Sequence, residues 1–329
     1  MVLNSCSKKA FTHASKSVGE RSVKMRACLS SRAFTLVELL VVIAIVGLLS
    51  TIVLAVTSGV SEQGRIAKSL QFSKHLENSL GDHLVGRWTF DETANLCGAS
   101  RVCDTSGWDN HGTMHNFVLP CGLVDDDTPS GQGGAMRFDG EDDYVSILNN
   151  NLDEGDASVE LWVKFNNSEN NTIIDTMIYS GAGTSGDRGF WIGRGSENTF
   201  KFYFSGGVGR TTQTVALDNG LSNTKWHHVV VIFNRDDTGL IYIDGVKQGN
   251  TVDISSYTGS ISHHMQLGAK VTPTETYQME GILDEVRIYN IALTAFQIQS
   301  QYYVGLNKLL TKRLINKEEY QTKLSLINQ

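Results

Sequence analysis

Proline is almost missing from this chain, with 3 in 329 residues, and none stands before Pro120. No proline therefore interrupts a helix in the first third. Charge is also sparse, at 19% against 40% hydrophobic residues, a balance that excludes a wholly disordered chain. A basic excess is lacking: the net charge is −7, which argues against a general nucleic-acid binder. The chain has no Gly-x-Ser-x-Gly, no His-Glu-x-x-His and no P-loop, so the commonest hydrolase and nucleotide-binding signatures are excluded. Self-similarity at a period of roughly 20–50 residues is absent too, so the chain is no solenoid or propeller.

What is present falls into unequal parts. Residues 1–33 carry seven basic side chains and one acid, Glu20, leaving the remainder at −13. From Leu39 to Ser61 there are 23 residues without a charge, mostly Leu, Val, Ile and Ala. About 20 such residues cross a bilayer as a helix. The basic stretch precedes them, which predicts a cytoplasmic N-terminus and an exported remainder. A cleaved secretory signal has a shorter apolar core, and here a carboxylate, Glu38, sits at its N-terminal edge. Ile66, Leu70, Leu76, Leu80 and Leu84 continue at helical spacing, and Gly81-Asp82 marks the end. The expected helix occupies 34–83.

Ser31-Arg32-Ala33-Phe34-Thr35-Leu36-Val37-Glu38 resembles the processing site of type IV prepilins and pseudopilins. The resemblance implies that 1–33 is a leader and that a prepilin peptidase cuts between Ala33 and Phe34 and methylates the Phe34 amine. It also implies that Glu38 neutralises that amine on a neighbouring pilin subunit. Family leaders usually end in Gly rather than Ala33, and Met25 offers a shorter leader than Met1 does.

Beyond Leu84 the pattern changes to period two. In Ala157–Phe165, Val159, Leu161, Val163 and Phe165 share one face, and Ser158, Glu160, Trp162 and Lys164 share the other. Similar runs recur at Val85–Phe90, Ala135–Phe138, Tyr144–Leu148, Thr172–Ser180, Phe190–Gly193, Phe200–Phe204, His227–Asn234, Leu240–Ile243, Met265–Gly268 and Ile282–Tyr289. Asp244-Gly245 predicts a tight hairpin. So many strands without intervening helices predict an all-β sandwich over 84–305.

Asp104-Thr105-Ser106-Gly107, Met136-Arg137-Phe138-Asp139-Gly140, Trp226-His227-His228-Val229 and Leu283-Asp284-Glu285-Val286-Arg287 resemble, in order and spacing, laminin-G-like, concanavalin A-like jelly rolls. The resemblance implies a module that binds a glycan or a surface protein, often with one calcium ion. The oxygen-rich loop Asp104–Asn110 and the family's closeness of first and last strands make Asp104, Asn110 and Asp284 the expected calcium ligands; the alternative is that these residues form turns. Trp108, Trp191 and Tyr203 are the candidate ligand contacts, with core packing as the alternative for the strand residues. Asp125-Asp126-Asp127 is read as a solvated run. Glu141-x-Asp143 is the nearest approach to a glucanase carboxylate pair, and Ser146 stands where a third acid belongs, so the chain is expected not to be an enzyme. The neighbours His227 and His228 point to opposite faces and make a poor chelate.

Cys97 and Cys103 are close enough in sequence to close a small loop in an exported domain, leaving Cys121 odd. Residues 306–329 return to helical spacing, with Leu309-Leu310, Leu314-Ile315, Tyr320, Leu324 and Ile327. They loosely resemble a short helical hairpin found at bacterial protein C-termini, and also read as an amphipathic helix packed on the sandwich. The expectation is thus a pilin-like subunit displaying a lectin-like jelly roll. A secretion or DNA-uptake pseudopilin that recognises cargo and a membrane-anchored glycoside hydrolase are the alternatives.

Overall fold

A computed structural model describes residues 35–47, 71, 74–76 and 78–327, except 92–96, 99, 119–122, 125–126, 130–132, 151, 153–154, 167–170, 176–187, 196–198, 207–209, 217–224, 236, 256–263 and 271–276. Contacts divide the chain into two units, Met1–Gly59 and Val60–Gln329.

In the first unit, residues 36–47 are helical. Thr35 is its N-cap. The Thr35 backbone N and Oγ1 donate to Glu38 Oε2 at 2.8 and 2.9 Å, and Glu38 N donates to Thr35 Oγ1 at 3.2 Å. This reciprocal capping box satisfies donors that the first turn leaves orphaned. Leu36, Leu39, Leu40, Ile43 and Val46 are exposed apolar side chains on this helix. Among the described residues no helix is long and apolar enough to cross a membrane; residues 48–61 of the expected span lie outside them.

The second unit is mostly β. Its strands are β1 (Leu84–Trp88), β2 (Arg101–Val102), β3 (Gly112–His115), β4 (Leu123–Val124), β5 (Ala135–Asp139), β6 (Tyr144–Ile147), β7 (Ala157–Phe165) and β8 (Asn171–Asp175). They continue with β9 (Arg188–Gly195), β10 (Thr199–Gly206), β11 (Arg210–Ala216), β12 (His227–Phe233), β13 (Thr238–Ile243), β14 (Val246–Asp253), β15 (Met265–Leu267) and β16 (Glu280–Tyr289). One sheet runs β14-β13-β12-β7-β16-β5-β4, with β1 also on β16; the other runs β11-β10-β9-β8-β15-β6-β3-β2. All the pairings are antiparallel, as a jelly-roll sandwich requires. Asp244 and Gly245 both take positive φ, 51° and 76°, in the turn from β13 to β14, the twist that a two-residue hairpin needs.

The period-two expectation holds for the inner faces. Val159, Leu161, Val163 and Phe165 of β7 are fully buried against Phe190, Ile192, Phe200, Phe202 and Phe204 of the other sheet. The opposite face of β7 is buried as well. A helix α1 (Ala295–Thr311) and a helix α2 (Lys317–Ile327) follow β16. Tyr302, Leu306, Leu309 and Tyr320 cover Trp162 and Trp226 on that side. At Gly305 a Cβ would come within 2.1 Å of the Trp162 ring, so the residue's smallness is what lets the helix lie this close. Leu76 and Leu80, just before β1, join Val230, Ile232, Tyr289 and Ile298 in a second outer cluster. β7 thus lies in the middle of three layers, between the second sheet and the C-terminal helices.

Covering a polar strand face buries its charges. Glu160 is 1% exposed. It accepts from Arg287 Nη1 at 3.3 Å and Tyr289 OH at 3.2 Å, and its Oε1 lies 2.9 Å from His228 Nε2. Burial alone would raise its acid; Arg287 and His228 overcome that and hold it below the usual carboxylate range. At the hairpin, Asp244 Oδ2 meets His227 Nδ1 at 3.0 Å and Lys323 Nζ at 2.8 Å, tying α2 to the sheet. Burial opposes ionisation here too, but His227 and Lys323 keep Asp244 well below its ordinary value.

Two expectations are corrected. The helical tail starts at Ala295 rather than Leu306, because Thr294 and Gln297 form a capping box whose N-cap lies twelve residues upstream of that boundary. Asp127 is not solvated: its carboxylate accepts from Lys164 Nζ at 2.6 Å and Trp226 Nε1 at 2.8 Å.

Glu160→Ala should cost about 3–5 kcal/mol in chemical denaturation, because it leaves the Arg287 guanidinium buried beside a lost partner. Since Asp244 ionises more readily folded than unfolded, its contribution is present above about pH 4 and is lost as pH falls further. The denaturation midpoint of wild type should therefore drop below pH 4 more steeply than that of Asp244→Asn.

Candidate functional site

The loop joining β2 to β3 presents the candidate ligand contact. It is anchored at its first residue by the Cys97–Cys103 disulfide, with Cα atoms 5.6 Å apart. Asp104 follows directly. Its Oδ1 accepts from Arg87 N and Ser106 N, both at 2.9 Å, and its Oδ2 from Ser106 Oγ at 2.8 Å and Asn110 N at 3.0 Å. Asn110 donates its side-chain amide to Val85 O, and its carbonyl accepts Trp88 Nε1 at 3.0 Å. Thr105 N donates to Arg87 O at 2.8 Å, and His111 Nδ1 accepts Asp104 N at 3.0 Å. The loop is therefore sewn to β1. Gly107 at φ 97° and Asp109 at φ 55° turn the backbone outward, and Trp108 between them is 55% exposed. A large ring held out on a rigid loop is a ready stacking platform for an apolar or sugar face.

The other two candidate aromatics lie on the outer face of the second sheet. Register aligns Tyr203, Trp191, Asp175, Gln266, Ser146, Thr113 and Arg101 in one row across seven strands. Trp191 is buried, with its Nε1 donating to Thr172 Oγ1 at 3.0 Å and its ring 5.0 Å from that of Tyr203. Tyr203 is half-buried; Thr113 and Arg101, beside the Trp108 loop, are exposed. Among the described residues of this row, the open part of the face is thus at the β2–β3 edge. Sequence reasoning missed Arg101, Thr113 and the His115–Tyr144 ring stack, at 4.3 Å, which sit on short strands too brief to show a period.

The expected calcium ligands do not fit the ion. The four donors to Asp104 occupy the roughly four lone-pair sites of a carboxylate, so it behaves as the turn-former of the alternative reading. Asp284 is fully buried in β16, its Oδ1 accepting Glu285 N at 2.7 Å. Among the described residues neither belongs to a group of three or more acids, histidines or cysteines able to share an ion; one such group exists, Asp139, Asp142 and Asp143. Burial, and then the neighbouring carboxylates, push the Asp143 acid up to about 6, although a hydrogen bond from the Asp139 backbone opposes the shift. Glu141 is exposed in the same turn. His227 and His228 each meet a different carboxylate, Asp244 and Glu160, so they form no chelate. Ala33 and Phe34 lie outside the described residues, as does Cys121.

Comparison with known proteins follows the same division. Residues 139–299 match the family model described as the Concanavalin A-like lectin/glucanases superfamily. Residues 28–54 match the Prokaryotic N-terminal methylation motif. The chain therefore carries a prepilin-type methylation motif and a concanavalin A-like domain. No curated protein matches it. Among solved structures, the botulinum neurotoxin serotype D ligand-binding domain in complex with N-acetylneuraminic acid is similar at 15% identity and a TM-score of 0.52, over 70% of this chain and 53% of that one. The binding domain of Paraclostridial Mosquitocidal Protein 1 is similar at 15% identity and a TM-score of 0.51, over 69% and 53% respectively. At such identity the likeness is one of fold. The chain spans about half the length of these structures.

Cys97→Ser should lower stability by about 2 kcal/mol, the chain-entropy value for so small a loop, read as a shift between oxidised wild type and the variant in urea. Trp108→Ala, at an exposed site, should leave that midpoint within about 0.5 kcal/mol of wild type.

Proposed function

We propose that this chain is a type IV pilus-like or pseudopilin subunit that displays its sandwich for adhesion or for capture of a glycan or surface protein. The observation that carries the reading is the order of parts: a methylation motif at 28–54, then a lectin-type sandwich. In this reading the prepilin peptidase cuts between Ala33 and Phe34, and the apolar run from Leu39 anchors the subunit in the inner membrane with its N-terminus cytoplasmic. The nine or so exposed apolar side chains of 36–46 support it, since lipid or other pilin subunits would cover them. Glu38 then has two successive roles. It caps its own helix through Thr35, and on assembly it meets a neighbour's Phe34 amine, a pairing that makes two groups costly in lipid tolerable. Ligand contact falls to Trp108 and the β2–β3 edge.

Glu38→Ala should leave membrane insertion unchanged and abolish recovery of the subunit in sheared filaments, checked by immunoblot of shear and membrane fractions; normal assembly would sink the pairing. Binding is tested with the full chain on a glycan array that includes N-acetylneuraminic acid, the ligand in the similar neurotoxin domain. Trp108→Ala should lower affinity for any ligand retained by roughly tenfold or more. Binding without any change in that variant would remove the platform from the site.

A further inference from the structure

The open end of the outer row on the second sheet carries a single cation. Arg101 and Val102 make up the whole of β2, at that sheet's edge. Val102 is buried in the core, so its neighbour Arg101 points outward, opposite the exposed Thr113. The guanidinium is not loose. Its Nη1 donates to Cys97 O at 3.4 Å, inside the ring that the disulfide closes. Among the described residues no carboxylate pairs with it.

The acids of the loop and the row are otherwise engaged. Asp109, beside Trp108, lies with its Oδ1 3.9 Å from His111 Nε2. Asp104 has its lone pairs filled by four donors. Asp175, the acid of the row, is fully buried four strands away on β8. Exposed apolar surface accompanies the cation: Trp108 at 55% and Leu148 at 83%. Leu148 follows β6 two places after Ser146, the spacing that returns a side chain to the outward face. A sugar offers matching chemistry. Its C–H face suits the Trp108 ring, and its hydroxyls suit Thr113 and Ser146. A sugar acid adds a planar carboxylate, the shape that a guanidinium fork grips with two parallel bonds.

We propose that this edge selects sugar acids and that Arg101 is the specificity-determining residue. One unit of the glycan presents a carboxylate to Arg101, and the same or the adjoining unit stacks on Trp108. The inference rests on the reading of the sandwich as a glycan-capture module and narrows its ligand class. With one donor spent on Cys97 O, Arg101 keeps about four of its five N–H donors for a ligand. The carbonyl inside the disulfide ring orients the guanidinium beforehand, so less rotamer freedom is lost on binding. Residues 34–329 carry −13 in all, a field that repels a long polyanion. One arginine in such a field reads a single acid group rather than a densely charged polymer.

The test uses the full chain in detergent on an array of uronic-acid and N-acetylneuraminic acid glycans. Each stands beside its counterpart with the carboxyl reduced to an alcohol, and calorimetry follows on the pairs retained. The acid member should bind roughly tenfold or more tightly than its reduced counterpart. Arg101→Gln should remove that preference, and Arg101→Lys, which keeps the charge but not the fork, should hold only part of it. Lys247→Gln, at an exposed cation on β14 of the other sheet, should keep it in full. Circular dichroism of each variant should match wild type. Equal binding of acid and reduced members, lost in Trp108→Ala, would overturn the acid preference and leave the capture reading standing. An acid preference that survives Arg101→Gln would also overturn the proposal. Retention of no member would overturn the proposal together with the glycan reading.

Discussion

The carboxylate of Glu160, sealed beneath two C-terminal helices, is the constraint around which the sandwich is arranged. A buried carboxylate without partners would cost several kcal/mol, so β7 must lie beside strands that bring compensating groups. β12 supplies His228 and β16 supplies Arg287 and Tyr289. The bulge between Asp284 and Arg287 falls in β16 beside this cluster, where it re-aims the chain so that Arg287 pairs opposite Glu160. The network is thus a statement about strand order as much as about charge. A shift of β16 by one residue would send the guanidinium to the hydrophobic side.

Once that face is covered, the two sheets have different work. The first is closed on its outer side by Trp162, Tyr302, Leu306 and Tyr320, and by Leu76 and Leu80 where the chain enters β1. Little of it remains for a partner. The second keeps a polar row on its outer side, increasingly exposed toward Thr113 and Arg101. The disulfide and the Asp104 bonds stiffen the loop at that same edge. Rigidity before binding lowers the ordering cost that a ligand must meet, so a stiff loop with one exposed ring is better suited to recognition than a mobile one.

Much of the fold was legible in sequence, for a physical reason. The inner faces must be apolar at every second position, so Val159, Leu161, Val163 and Phe165 announce their strand, and Asp244-Gly245 announces its turn because few residue pairs accept positive φ twice. The outer face of β7 was not legible. Ser158, Glu160 and Lys164 look like a solvent-facing set, and only the later arrival of α1 decides otherwise; their partners are 120 or more residues away in the case of Arg287 and Tyr289. The start of α1 was written in Thr294-x-x-Gln297, but a capping signal beside a strand end is easily read as turn. Of the candidate site, the exposed ring of Trp108 was legible because a loop offers nothing to bury it, whereas Trp191 needed Thr172 and Tyr203, from neighbouring strands, to be seen as buried.

Aspartates in this chain show why residue type alone does not define a metal site. Asp104, Asp143 and Asp244 are all largely or partly buried, yet each answers its charge differently. Asp104 is met by four donors from its own loop and from β1. Asp244 is met by the His227 ring and the Lys323 ammonium, and its acid is depressed accordingly. Asp143 is met by one backbone N–H, beside two further carboxylates, and its acid is raised. The number of donors aimed at each oxygen separates the three. Where donors fill the lone pairs, a cation has nothing to gain; where a counter-charge is built in, it would compete with lysine; where carboxylates gather around a buried one, burial and like charge raise its acid instead.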